Sequence, residues 1–341
     1  GDTQNTAIGV EALKVCIGSK NVALGYRAGY DVTTGHEQTL IGYSAGANIT
    51  TGRSNVIVGY EAGTTLTDGT YNTAVGYEAL RSSVSGNHNV AIGQGALRDG
   101  TGARNTAVGQ TSQRYRTGGD NNVSLGQEAG RGASSAAPAT GDNNTSIGRG
   151  AHEDIQGGSL NTAVGREAHR ECSTGDNNTC IGNSAGRSSS PSGTLNNESN
   201  TVVIGNNDVT ASYIKVDWTV TSDRRDKTDI TPFAHGLSWI NKLNPVTFRW
   251  DNRSSYADGI PDGSKKGTQL NLGLIAQDEL EVEKEHGYGD TPDNMLVTDV
   301  NGDGNYGMQY SKLVPILINS VKELSAKVET LQSEINTLKG G

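Results

Sequence analysis

The first 200 residues contain no tryptophan and no phenylalanine. Only 5% of the chain is aromatic and 33% apolar, while glycine alone numbers 47. That composition excludes one large globular core spanning 341 residues. Such a chain is either disordered or built from repeats that need only a thin core. Excess positive charge is also lacking: the net charge is −9, which argues against nucleic acid or an anionic membrane as partner. No run approaches the ~20 apolar residues of a membrane-spanning helix, so no membrane insertion is expected. Cysteine is scarce. Cys16, Cys172 and Cys180 are odd in number and lack metal-ligand spacing, which argues against a disulfide framework or a zinc site. No cofactor is expected. No signal peptide is visible, and the chain opens at Gly1 almost directly on a repeat. It reads as a fragment of a longer protein made in a cytoplasm.

The missing aromatics reappear abruptly. Trp218, Trp239 and Trp250, with Phe233 and Phe248, all fall between 218 and 250. Two architectures therefore join near residues 206–222. The expected divisions are a repeat shaft at 1–205, a connecting β segment at 206–222 and a small C-terminal domain at 223–341.

What fills the first part is a five-residue phrase: Asn, then Thr or Val, a small residue, Ile/Val/Leu, and Gly. It runs from Asn5-Thr-Ala-Ile-Gly9 and Asn21-Val-Ala-Leu-Gly25 to Asn178-Thr-Cys-Ile-Gly182. A variant starts at Gln38, and a longer version runs from Asn200 to Gly205. Counting both, it occurs twelve times, its closing glycines 16 or 17 residues apart except for gaps of 22 and 23. A period this constant means a solenoid, with the two long gaps as loop insertions. The short β-branched phrase reads as a strand, and the Asn and Gly at its ends as turn residues. Each coil is expected to turn small apolar groups inward and polar groups outward. Stacked about 4.8 Å apart, twelve coils make a rod of roughly 55 Å.

These repeats resemble the head repeats of trimeric autotransporter adhesins, and similar ones occur in phage and algal-virus fibres. The resemblance implies a mainly β fold, a left-handed parallel β-roll with three chains side by side. The thin core favours the same homotrimer, since three rolls bury their facing sides together.

The residue after each closing glycine is Tyr26, Tyr43, Tyr60 and Tyr77 in one run, and later Gln94, Gln110, Gln127, Arg149, Arg166 and Asn183. Such variety places it at a surface. The tyrosines read either as a ladder stacking on sugar rings of a host surface glycan, or as identical side chains stacked along a solenoid face. Glu11, Glu61, Glu78, Glu128 and Glu167 share one coil position and read as a solvated row rather than a glycosidase pair.

The C-terminal part holds Ser222-Asp-Arg-Arg-Asp-Lys227, then Leu243-Asn-Pro-Val-Thr-Phe-Arg-Trp250, Leu272-Gly-Leu-Ile-Ala-Gln277 and Tyr310-Ser-Lys-Leu before a long helix. In this order the phrases resemble the endosialidase-type intramolecular chaperone, a self-cleaving domain at the end of many phage tailspikes and fibres. Asp226 departs from the apolar residue usual at its position. The resemblance implies a Ser222–Lys227 dyad and a cut next to Ser222, on one side or the other, with Asp223 as the neighbouring residue. The chemistry is sound, because a serine hydroxyl needs a base and lysine serves as one only where burial or a nearby cation favours its neutral form. Arg224 and Arg225 are the candidate cations. Each chain would turn over once, a single-turnover serine peptidase acting on itself.

Val314, Val321, Val328 and Ile335 alternate with Leu317, Leu324, Leu331 and Leu338 at spacings of three and four, a coiled coil over about 310–339. Valine at the first position with leucine at the second favours two strands in parallel dimers. The shaft and the family resemblance both point to three, and a trimer is expected. Asp299, Asn301 and Asp303 fit the first half of a calcium loop, but position twelve is Tyr310, so a hairpin tip flanked by Val297 and Met308 is expected instead. The acidic stretch Asp278 to Glu285 reads as a solvated helix face. The sequence thus points to a virion tail fibre or tailspike, with upstream fibre and virion proteins as further partners. The alternatives are a tailspike enzyme degrading a host glycan, a bacterial trimeric adhesin, and a released regulator similar to the myelin regulatory factor family.

Overall fold

The computed structural model describes residues 4–134, 138–300 and 304–340. It divides into two compact units, Gly1–Val209 and Thr210–Gly341. Among the described residues no helix is long and apolar enough to cross a membrane.

The first unit is a β-solenoid. Its twelve strands, β1 (Thr6–Ile8) through β12 (Val202–Ile204), are three residues each and form one sheet in chain order. Neighbours pair in parallel and in repeat register, as in Thr73↔Val90 and Val75↔Ile92. What sets this register is the residue before each strand. The Asn72 carboxamide oxygen accepts the Asn89 backbone N–H (3.0 Å), and its amide group donates to the Gly86 carbonyl (2.8 Å). The same pair of bonds recurs from Asn5 to Asn178, Gln38 included. These asparagines are therefore buried ladder residues, not turn residues. The left-handed backbone falls one position earlier, at Lys20, Ser54, Tyr71, His88 and Leu160 among others. In the last coil Asn200 is itself such a residue (φ 62°), and Thr201 takes the ladder place, its N–H bonded to Asn178.

The closing glycine is required twice over. Gly59 has a φ of +138°, and a Cβ there would sit 2.3 Å from the Gly76 carbonyl oxygen of the next coil.

The interior is filled by exchange of volume between two positions. Where the strand centre is large, as at Leu40 and Ile57, the residue four after the closing glycine is Gly46 or Gly63. Where the centre is Ala74 or Ala91, that residue is Leu80 or Leu97. A Cβ on Gly46 would lie 2.8 Å from Leu40 Cδ2, so only one of the pair can be large. Beyond Ala107 the interior turns polar, with Gln113, Arg116, Ser124, Ser146, His152 and His169 all buried. Ser146 Oγ shares a hydrogen bond with His152 Nδ1 (2.9 Å), and His152 Nε2 shares one with His169 Nδ1 (3.1 Å). Burial holds both imidazoles neutral: His152 is pushed well below its ordinary 6.5 and His169 to about 4.

The outer strand positions are only partly polar: threonine stands at the first position of seven of the twelve strands, and the third position is apolar throughout. Ile8, Val22, Leu24, Val56, Ile92, Leu125, Ile181, Val202 and Ile204 are exposed, up to 69% at Val202. The strand centre is the buried residue, so the alternation of a strand sends its two larger β-branched neighbours to the outside. The glutamate row is likewise not merely solvated. It pairs between coils, as in Arg27–Glu11 (2.7 Å), Arg98–Glu78 (2.7 Å) and Arg187–Glu167 (2.5 Å).

The second unit packs Trp239, Val282, Val297, Leu313 and Ile316 into a small core, with Phe233, Leu243, Tyr288 and Met308 against it. Its elements are α1 (Leu237–Ile240), β13 (Val246–Phe248), β14 (Asn271–Gly273), α2 (Ala276–Glu285), β15 (Thr298–Val300), β16 (Tyr306–Met308) and α3 (Leu313–Lys339). β13 and β14 pair antiparallel, as do β15 and β16. The acidic helix α2 is not solvated all round. Glu283 is buried and accepts the N–H groups of Leu296, Val297 and Thr298 (2.6–3.0 Å). Glu279 is buried beside Trp239 Nε1 (2.7 Å), and burial lifts its carboxyl to about 7.

Two predictions follow from the solenoid. Asn72→Ala leaves the buried Asn89 N–H and Gly86 carbonyl without partners, at about 1–3 kcal/mol each. Amide-exchange protection of the flanking strands should fall accordingly, whereas Leu160→Ala, at an exposed site, should leave it unchanged. The histidine pair makes the neighbouring coils acid-sensitive. The unfolded chain binds protons below about 6.5 and the folded chain does not, so stability is full above 6.5 and lost as pH falls towards about 4. The expected slope is about 1.4 kcal/mol per pH unit for each histidine. Exchange protection of β9 (Thr145–Ile147) and β10 (Thr162–Val164), corrected for intrinsic rates, should fall over that window, and His152→Asn with His169→Asn should flatten the fall.

Candidate functional site

A single 3-10 turn, Arg224–Asp226, builds the dyad. Asp223 starts it, accepting the Arg225 N–H (2.9 Å), and the Lys227 N–H closes it on the Arg224 carbonyl (3.2 Å). The reversal brings residues five apart together, so that Lys227 Nζ lies 2.5 Å from Ser222 Oγ. In its ammonium form the lysine donates to the hydroxyl. Acting as a base reverses this bond: the neutral amine accepts the hydroxyl proton and frees Oγ to attack a carbonyl carbon.

The two candidate cations differ in their engagement. Arg225 is folded back on Asp223 (Nη2 to Oδ2 2.7 Å), and this guanidinium holds the Asp223 carboxyl below its usual range. Arg224 makes no ion pair among the described residues. Ser222, Lys227 and both arginines are exposed in the single chain.

The chain leading into the dyad is unpaired. Residues 210–222 form no backbone hydrogen bond among the described residues. Ile214, Val216, Trp218 and Val220 alternate along it and are all exposed, Trp218 by 75%. The heptad residues Val314, Leu317, Val321, Leu324, Val328, Leu331, Ile335 and Leu338 are all exposed too, on a helix that starts at Leu313 after a 3-10 turn at Tyr310–Lys312.

The tyrosine ladder is real but closed to stacking. Tyr26–Tyr43, Tyr43–Tyr60 and Tyr60–Tyr77 have ring centroids 5.1, 5.0 and 5.3 Å apart and interplanar angles of 21°, 9° and 7°. Each face inside the ladder is covered by the next ring, and the Arg27 guanidinium lies over Tyr26 (5.3 Å). The ladder therefore presents ring edges and hydroxyls rather than faces. Of the calcium-loop candidates, Asn301 and Asp303 lie outside the described residues. Asp299 sits in β15, whose register with β16 is Thr298↔Met308. Among the described residues no cluster of three or more His, Cys, Asp or Glu could hold a metal ion. The three cysteines are free, and burial pushes the Cys172 and Cys180 thiols up to about 12.

Sequence reasoning missed the buried interior histidines and the two buried glutamates of α2. A signal for the glutamates existed: Glu279 and Glu283 are four apart, with Leu280 and Val282 between them, so they share a helix face with part of the core.

Comparison with known proteins gives one match. A family model described as a chaperone of endosialidase covers residues 222–288. No curated protein and no solved structure gives a match. The matched span begins at Ser222 and holds the dyad, α1, β13, β14 and α2. Joined to a β-solenoid, it supports a role in folding a trimer.

Proposed function

We propose that this chain is the distal part of a trimeric virion fibre, with the second unit as a chaperone that aligns three chains and then releases itself by cutting next to Ser222. The observation that carries this reading is the exposed apolar surface of the single chain. A column of Ile, Leu and Val at the third strand position runs along the solenoid sheet beside a mixed column of Thr and Val, and an unbroken heptad stripe runs along α3. Monomeric proteins rarely leave contiguous apolar surface of this extent open. The solenoid columns repeat at every coil, so neighbouring copies held in register can meet them along their whole length.

The chemistry follows the dyad. Lys227 accepts the Ser222 hydroxyl proton, Oγ attacks the adjacent peptide carbonyl carbon, and the ammonium returns its proton to the leaving amine. Water then hydrolyses the ester. Hydrolysis restores both side chains; the bond within their reach is the chain's own and is cut once, so one cut per chain is the limit. Host attachment falls to the solenoid, whose tyrosine edges offer hydroxyls to a surface glycan. The glycosidase alternative gains no support, because the glutamate row is committed to arginine partners.

The decisive experiment is a denaturing gel with intact mass, run beside sedimentation of the native protein. Wild type should sediment as a trimer and give two fragments divided at Ser222. Ser222→Ala and Lys227→Ala should each give only the whole 35.6 kDa chain while remaining trimeric. An uncut wild type would end the autoproteolysis reading, and a monomer would end the fibre reading.

A further inference from the structure

The helix that carries the heptad stripe has a second working face. Leu313, Ile316, Ser320 and Glu323 recur at spacings of three, four and three, out of phase with Val314, Leu317, Val321 and Leu324. The first three are buried, at 8%, 2% and 4% exposure, while the four heptad residues are 46–64% exposed. One face of α3 is thus packed on its own chain and the other is open. The sequence pattern hides this, because serine and glutamate do not read as contact residues.

The packed face grips the chain just before α1. Glu323 Oε2 accepts the Leu237 backbone N–H (2.9 Å), and Asn319 Nδ2 donates to the Phe233 carbonyl (2.7 Å). At Gly236 the two segments touch: a Cβ there would lie 2.8 Å from the Asn319 carbonyl carbon and from the Ser320 nitrogen. Phe233 packs on the core that contains Trp239. Between this clamp and Lys227 stand only residues 228–232, all exposed. Six residue steps reach at most about 20 Å. The clamp therefore confines the dyad to the neighbourhood of α3.

We propose that Asn319 and Glu323 are positioning residues for self-cleavage. They fasten the strand of chain leading from the dyad to α3, so that association of three helices fixes where the dyad lies relative to the neighbouring chains. The inference rests on the autoproteolysis reading above. It makes cleavage respond to the coiled coil through two side chains that hydrogen-bond their own chain's backbone at Leu237 and Phe233 rather than the dyad.

The test is a time course of cleavage during synthesis of the full chain, with sedimentation and far-ultraviolet circular dichroism of each product. Glu323→Ala should remain helical and trimeric yet cleave about tenfold more slowly, a loss of the size that small misplacement of reacting groups produces. Glu323→Gln keeps an oxygen acceptor and should restore the rate. Asn319→Ala provides an independent variant should the first fail to assemble, and should also be slow. Glu334→Ala, on an exposed turn of the same helix, should cleave like wild type. A trimeric Glu323→Ala or Asn319→Ala that cleaves at the wild-type rate overturns the proposal, as does a Glu323→Gln as slow as alanine. A wild type that never cleaves removes the reading beneath it, and that outcome is separate because it appears before any clamp variant is made.

Discussion

Each coil of the solenoid is fixed to the next by one buried carboxamide. The asparagine before a strand joins two coils, with its oxygen on the N–H of the residue at the same place in the next coil and its amide group on a backbone carbonyl, a glycine thirteen or fourteen residues ahead except across the two insertions, as from Asn5 to Gly18 and from Asn21 to Gly35. Both contacts satisfy backbone groups that the tight turn would otherwise bury unpaired. Everything else is adjusted to this spacing. The residue before the asparagine takes a left-handed conformation so that the carboxamide points inward. The closing glycines stack carbonyl against Cα, a distance no side chain permits. Even the tyrosine rings stand 5.0–5.3 Å apart because the coils do.

A coil held this way buries little. Its interior is a strand centre of alanine, serine, cysteine or an occasional leucine, isoleucine or valine, with one or two partners, and the larger residues of the strand face out. Hydrogen bonds of the ladder specify register strongly but contribute modestly to net stability, since the unfolded chain bonds water instead. The exposed Ile, Val and Leu residues of the strands are apolar surface that the single chain leaves uncovered. The polar interior beyond Ala107 sharpens the need. His152 and His169 occupy places that Leu80 and Leu97 fill earlier, so this stretch gains less from its own core.

Much of this was legible in the sequence, and the reasons for success and failure are specific. Period, strand position and the glycine requirement came from the phrase itself, because a glycine recurring every 16 or 17 residues has few other causes. The helix that carries the heptad and the hairpin around Asp299 were readable because local pattern and structure agree there, whereas the β13 and β14 phrases were found by family resemblance. The direction of the strand's faces was not readable. Alternation over three residues tells which are on opposite sides but not which side is inside, and hydrophobicity alone gives the wrong answer at Ile8 and Val22. Asparagine was misassigned for a related reason: its turn preference is a property of isolated chains, whereas here its carboxamide is consumed by the neighbouring coil. Ser222 and Lys227 were found by resemblance, and the 3-10 turn that joins them supplies the geometry that the motif could not.

The ladder also explains why a solenoid of this design has use for a folding helper. In a stacked repeat each coil is stabilised by its neighbours, so the first coils form at a loss and later ones at a gain. Aligning three such chains in register is slower still, because every strand pairing closes a loop and an error of one coil satisfies nearly the same bonds. A domain with its own core and an exposed heptad on α3 fits a trimer-folding role of this kind. The barrier such a helper lowers is kinetic, and the ladders of a stacked solenoid hold whether or not the helper stays.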